Sequence, residues 1–130
     1  MLQKALAIEP DNADVQYALG LALVRRHDYA GAKDLLQRAH ELASDNARYA
    51  YVYAVALNSA GAHAEAMTLL EQTHRRHPAD RDVLLALVSF ARDSGDISTA
   101  LLYAQQLVAL YPTDPQLRSL LRELEKAKAH

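Results

Sequence analysis

The chain contains no cysteine and no tryptophan, and only four glycines and four prolines among its 130 residues. Without cysteine it has no disulfide, no thiolate metal site and no cysteine nucleophile. Scarce glycine and proline favour helices, since these two residues are the least compatible with a helix interior. No apolar run approaches the roughly 18 residues that a membrane-spanning helix needs, and we expect no secretory signal at the first residues.

The chain also has no large excess of charge of one sign, because its net charge is −2 and both signs are interspersed along it. Proteins that bind nucleic acid usually concentrate lysine and arginine in a basic patch, so we expect no nucleic-acid partner. We likewise expect no membrane partner. Hydrophobic residues make up 51% of the chain, which is enough to bury a core in one domain of this length.

A signal for the start of a helix recurs every 34 residues. It consists of a short polar side chain that can accept hydrogen bonds from the first turn of a helix: Asn12, Asn46, Asp80 and Asp114. Two residues earlier stand residues that end or weaken a helix: Pro10, Ser44, Pro78 and Pro112. Between these signals, the segments "RRHDYAGA", "SAGAHAEA" and "DSGDISTA" each combine a turn with the start of a second helical pattern.

The sequence therefore predicts an all-α solenoid of antiparallel helix pairs in one domain. Residues 13–46, 47–80 and 81–114 form three repeats, and residues 115–130 form a capping helix. Residues 1–12 read as the second helix of a truncated repeat. In an intact repeat a first helix would cover their apolar face, and without that helix the face would be exposed. We therefore expect the chain to be part of a larger protein and to self-associate through Leu2 and Leu6.

This pattern resembles the tetratricopeptide repeat (TPR), a 34-residue helix–turn–helix unit. The positions that carry the resemblance are the small residue of the first helix and the alanine and large residue of the second: Gly20, Ala32 and Leu36; Ala54, Ala66 and Leu70; Val88, Ala100 and Ala104. In the third unit Val88 is larger than usual and Ala104 is smaller, and we expect the two changes to compensate. The resemblance implies a right-handed superhelix with a concave groove lined by the first helices.

The resemblance also implies which residues line the groove. They are Tyr17, Leu21, Val24 and Arg25; Tyr51, Val55, Asn58 and Ser59; Leu85, Ser89 and Arg92. The family's clamp for a terminal carboxylate is not present in its usual form, so we expect a protein or peptide segment with apolar anchors. Tyr17 and Tyr51 would be its strongest contacts. An open alternative is that these residues pack only against neighbouring helices.

The segment "NARYAYVYAVAL" shows how the register resolves an ambiguous pattern. Tyr49, Tyr51 and Tyr53 alternate with smaller apolar residues, which by itself is typical of a strand. The repeat instead places them in a first helix, where Tyr49 and Tyr53 share a face and Tyr51 points away. We expect Tyr49 and Tyr53 to pack between helices and Tyr51 to face the groove.

No constellation of residues predicts catalysis. His74 and His77, three residues apart, could share a helix face and bind a metal, but "HRRHP" is more simply a helix end with favourable positive charge. The segment "RDSGD", residues 92–96, reads as a turn. We therefore predict a non-enzymatic interaction scaffold without metal or cofactor. The alternative is an accessory or oligomerisation domain of a larger multidomain enzyme.

Overall fold

The computed structural model describes residues 12–129, and this part of the chain forms seven helices and no strand. The helices are α1 (Ala13–Arg25), α2 (Tyr29–Leu42), α3 (Ala47–Ser59), α4 (His63–Arg76), α5 (Arg81–Asp93), α6 (Ile97–Leu110) and α7 (Pro115–Ala129). The prediction of an all-α repeat solenoid is confirmed. Within the described range no helix has the length and apolar character to span a bilayer. The predicted association through Leu2 and Leu6 lies outside the described residues.

The first helix of each pair begins where the repeated signal predicts. At all four starts the cap side chain accepts a hydrogen bond from the backbone N–H three residues later, at 3.0–3.2 Å. The four cap residues are Asn12, Asn46, Asp80 and Asp114. Each cap satisfies a backbone donor that the first turn would otherwise leave without a partner.

The turn inside each pair also repeats, with one residue of positive φ. His27, Gly61 and Gly95 have φ of 61°, 94° and 86° and are 34 residues apart. The next residue caps the second helix in two of the pairs, where Asp28 and Asp96 accept from backbone N–H groups at 3.0 and 3.2 Å. The equivalent Ala62 makes no side-chain cap, so α4 begins with one hydrogen bond fewer.

Small residues allow the two helices of a pair to approach closely. Ala32, Ala66 and Ala100 are fully buried just after the turn. In the first pair a Cβ atom built on Gly20 would lie 2.7 Å from Leu36 Cγ, inside van der Waals contact. Leu36 itself is fully buried, so the absence of a side chain at Gly20 makes room for it.

The pairs stack so that the first helices form one row and the second helices another. Cα atoms of α1 and α3, and of α3 and α5, come within 8 Å of each other. Among the described helices, no such approach joins α2 to α4 or α4 to α6. The row of first helices is therefore the tighter one, which we call the inner row. The second helices form the outer row, where the wider spaces between helices hold side chains and leave clefts.

Candidate functional site

The eleven residues expected to line the groove lie on the inner row, at positions that recur from one first helix to the next. They lie on α1, α3 and α5, at the spacing of one and two helical turns that keeps side chains on one face. None of the eleven is fully buried: Arg25, Ser59 and Arg92 are exposed and the others are half-buried. Residues on the remaining faces of α3 and α5 are largely buried in the core. The inner row thus presents a continuous strip of partly exposed side chains across three helices.

Tyr17 is held by an aromatic stack between the first two repeats. Its ring lies 4.4 Å from the Tyr49 ring, centroid to centroid, with an angle of 21° between the planes. The Tyr49 hydroxyl donates a hydrogen bond to the carboxylate of Asp14 on α1. Burial, together with this hydrogen bond, raises the pKa of Tyr49 to about 12. One face of Tyr17 is therefore used in packing, while Tyr17 as a whole stays half-buried.

Arg48, which is not among the eleven predicted residues, connects the two tyrosines of the strip. Its Nε donates to the Tyr17 hydroxyl at 3.3 Å, and its guanidinium carbon lies 5.4 Å from the centre of the Tyr51 ring. Its Nη1 is 3.5 Å from a carboxylate oxygen of Asp82 on α5. Arg48 therefore contacts side chains from all three first helices, through a cation–π contact and exposed polar contacts that are individually weak.

A signal for Arg48 was present in the sequence. Position 48 is equivalent to positions 14 and 82, so the three repeats carry Asp14, Arg48 and Asp82 at the same place. Opposite charges at one repeat position on adjacent helices are an attractive pair, by analogy with charge pairs within a helix. The same kind of link recurs further on, where Arg81 contacts Asp114 at 3.2 Å and its guanidinium lies 5.0 Å from the Tyr111 ring centre.

The polar residues of the strip have partners close by. Asn58 Oδ1 accepts from His63 Nδ1 at 2.8 Å, which orients the Asn58 amide at the turn between α3 and α4. Arg92 Nε is 3.8 Å from Asp93 Oδ1, at the exposed end of α5. The exposed Arg92–Asp93 pair is weak, so Arg92 can exchange this partner for a ligand.

The three tyrosines of α3 separate as the repeat register requires. Tyr49 and Tyr53 are buried, with 7% and 9% of their surface exposed, whereas Tyr51 is only half-buried. The expected burial of Tyr49 and Tyr53 is confirmed. The role of Tyr51 in a groove stays a prediction. Burial raises the pKa of Tyr53 as well.

The suggestion that His74 and His77 share a helix face is wrong. Helix α4 ends at Arg76, and His77 has already left the helical conformation with φ −131° and ψ 67°. His77 Nε2 instead donates to the Asp45 carbonyl oxygen at 3.0 Å, and the His74 ring packs edge-on against Tyr103 at 5.6 Å. Residues 12–129 contain no group of three or more histidine, aspartate or glutamate side chains placed to hold a metal ion.

The turn at residues 92–96 uses its polar groups within the fold. Asp96 accepts from the backbone N–H of Thr99 at 3.2 Å and from its hydroxyl at 2.7 Å, which caps α6. These two hydrogen bonds lower the pKa of Asp96. The Ser94 hydroxyl donates to the Ala91 carbonyl at 2.9 Å. Ser94 and Asp96 thus form hydrogen bonds with the ends of the two flanking helices, as expected for a turn.

Two clefts lie between the first two repeats on the outer row. One, of about 400 Å³, is bounded by the end of α2, the loop before α3 and the end of α4; we call it the junction cleft. The other, of about 450 Å³, lies between α2 and α4 over Tyr53. His40 lines both clefts, and its Nδ1 is buried without a hydrogen-bond partner in the part of the chain that the structure describes. Burial, and then the charge of Arg76, lowers the pKa of His40, while Glu41 acts the other way.

Comparison with known proteins agrees with this architecture. A family model for the tetratricopeptide repeat matches residues 1–56 and 57–124. No curated protein gave a significant match to the sequence. Solved structures that superpose well include MamA, with 16% sequence identity and a TM-score of 0.88 over 98% of this chain and 75% of that one.

Two further similar structures are known for other proteins. The Sgt2 TPR domain from Aspergillus fumigatus is 20% identical, with a TM-score of 0.79 over 90% of this chain and 79% of that one. PcrH, solved in complex with the chaperone binding region of PopD, is 17% identical, with a TM-score of 0.78 over 88% and 92%. At these identities the likeness concerns the fold.

Proposed function

Because the chain belongs to the tetratricopeptide repeat family, we propose that it is a non-enzymatic scaffold that binds a peptide or helical segment of a partner protein along its inner row. The observation that carries the proposal is the strip of half-buried side chains across α1, α3 and α5. Three adjacent helices with their backbones close together offer a continuous surface, whereas the outer row is interrupted by clefts. PcrH, which has the same fold, was solved with a segment of PopD.

The chemistry of the strip favours a partner segment with apolar or aromatic anchors. Its centre is formed by Tyr17, Leu21, Tyr51, Val55 and Leu85, all half-buried. Apolar and aromatic side chains that are partly exposed in the free protein release water when a partner covers them, which is the main source of affinity. The charged and amide side chains at the edge, such as Arg25, Asn58 and Arg92, then set orientation rather than most of the binding energy.

Tyr51 is the anchor that can be tested most cleanly. Tyr17 also packs on Tyr49, so Tyr17→Ala removes an aromatic stack as well as a contact surface. Tyr51 stacks on no other ring among residues 12–129; its ring lies under the Arg48 guanidinium and packs at the edge of the core. Tyr51→Ala should therefore weaken binding with a smaller loss of stability than Tyr17→Ala.

The test is a peptide selection against the domain, followed by calorimetry on the selected peptides. We expect Tyr51→Ala to weaken their binding by about tenfold or more, as for a central aromatic anchor. Leu102→Ala is the matched control, because Leu102 is 52% exposed on α6 in the outer row. Circular dichroism on each variant shows whether the helices are intact. Equal losses for both variants, or no loss for either, would contradict the proposal.

A further inference from the structure

The junction cleft is lined by positively charged side chains, and the repeat architecture requires neither this charge nor this shape. Its lining includes Arg75 and Arg76 at the end of α4, His77 just beyond, and His40 from α2. Asp45 also lines it, but its side chain is 82% exposed and lies 3.3 Å from His77 Nε2. The carboxylate is therefore largely solvated, and Arg75 and Arg76 supply the positive charge that lines the cleft.

The next junction of the same chain provides an internal comparison. Positions 34 residues later, where α6 ends, carry Ala109, Leu110 and Tyr111 in place of the two arginines and His77. Positions 69 and 73 are likewise replaced by the larger Tyr103 and Leu107. The second junction thus has larger apolar side chains at these positions, although His74 repeats His40, and its helices still pack against each other. The cationic lining of the first junction is not needed for stacking two repeats.

The contacts that the cleft residues make within the protein do not use up their donors. Arg76 Nη1 donates to the Ser44 carbonyl at 3.5 Å, which is at the limit of a hydrogen bond. A guanidinium has five N–H donors, so this contact engages one of them. His40 Nδ1 is buried and has no hydrogen-bond partner among residues 12–129, and the same holds for the equivalent His74 Nδ1 at the next junction, so the two arginines are what distinguish the first junction.

We propose that the junction cleft binds a small oxyanion, of the size of phosphate or a diphosphate, between Arg75, Arg76 and His40. Arginine is suited to this role because its planar donors match the oxygen atoms of phosphate in pairs. A cleft of about 400 Å³ is large enough for a diphosphate with its hydration water. This site lies on the outer row and is independent of the proposed binding of a partner on the inner row.

The experiment is an NMR titration of the isotope-labelled chain with inorganic phosphate and with pyrophosphate, at constant ionic strength set with chloride. We expect saturable shifts confined to residues of the junction cleft, with pyrophosphate binding more tightly. The imidazole of His40 serves as an internal probe, since a bound anion should raise its pKa. The charged or titratable groups that already act on His40 are Arg76 on α4 and Glu41 on α2, and the Tyr53 ring of α3 lies 6.0 Å away.

The variant Arg75→Ala/Arg76→Leu copies the residues of the second junction and should therefore fold. We expect it to weaken pyrophosphate binding by about tenfold or more, because two charge-assisted contacts are lost. Arg122→Ala on α7 removes one charge elsewhere and should leave binding unchanged. Binding by the double variant as tight as by the parent chain, or no saturable shift up to about 10 mM anion, would overturn the proposal. Equal weakening by Arg122→Ala would also overturn it, since it would indicate non-specific screening.

Discussion

Val88 and Ala104 offer a quantitative test of how each repeat packs its two helices. In the first repeat the equivalent residues are Gly20 and Leu36, and a Cβ atom on Gly20 would lie 2.7 Å from Leu36 Cγ. The two positions therefore face each other across the helix pair. From the first repeat to the third, the residue on the first helix grows from glycine to valine while the residue on the second helix shrinks to alanine.

The structure allows the cost of each change to be estimated. Val88 and Ala104 are each only 1% exposed, so neither site can relax into solvent. Val88→Ala removes buried carbon atoms and leaves a cavity, at a cost of about 2 kcal/mol. Ala104→Leu forces added carbon atoms into a filled space, also at about 2 kcal/mol. The double variant installs the pair that the second repeat has at Ala54 and Leu70, and it should cost about 1 kcal/mol or less.

The assay is a double-mutant cycle in the free energy of unfolding, measured by urea titration with circular dichroism. The values above predict an interaction energy of about 3 kcal/mol between the two sites. Leu102→Ala combined with Val88→Ala serves as a control pair, because Leu102 is exposed on the outer row and should be additive. Additivity of Val88→Ala and Ala104→Leu within about 0.5 kcal/mol would refute the compensation.

Four further predictions concern caps, turns and titrating groups. Ala62→Asp should stabilise the fold by about 1 kcal/mol in urea unfolding, because it supplies the cap that both equivalent positions have; no gain would contradict this. Gly95→Ala should cost about 1–2 kcal/mol, since φ is 86° and nothing lies near the new methyl group; an unchanged midpoint would contradict the strain argument. Because the pKa of Tyr49 is raised, this residue stabilises the fold below pH 10, and that stabilisation is lost as pH rises from 10 to about 12. Tyr49→Phe should therefore make thermal stability less sensitive to pH in that range. Because the pKa of His40 is lowered, this residue stabilises the fold above pH 6.5, and that stabilisation is lost as pH falls below 6.5. His40→Gln should therefore make thermal stability less sensitive to pH on the acid side. Thermal stability with an unchanged dependence on pH in either variant would refute the corresponding assignment.

The fold could be predicted from sequence because its signals are local and repeated. A cap such as Asn46 acts on a backbone N–H three residues away, so its effect does not depend on the rest of the molecule. Four such caps at one spacing fix where the first helices start. The burial of Tyr49 and Tyr53 follows from the same register, because helical geometry alone decides which side chains share a face.

The contacts between repeats could not be predicted in the same way. The link from Arg48 to Tyr17 and Asp82 depends on how far one repeat is rotated against the next, and 34-residue spacing does not specify that rotation. The end of α4 before His77, by contrast, follows from the sequence, because Pro78 disfavours a helical conformation at the residue before it. The clefts of the outer row arise from the wider spacing of the second helices, which is a property of the stack.

The central claim is that a partner segment binds along the inner row. The most direct measurement is an NMR map of backbone amide shifts for the labelled chain when a selected peptide is added. We expect the largest shifts to fall on α1, α3 and α5 around Tyr51 and Val55, and Tyr51→Ala to need about tenfold more peptide, or more, to reach them. Shifts concentrated on α2, α4 and α6, with Tyr51→Ala without effect, would contradict the claim.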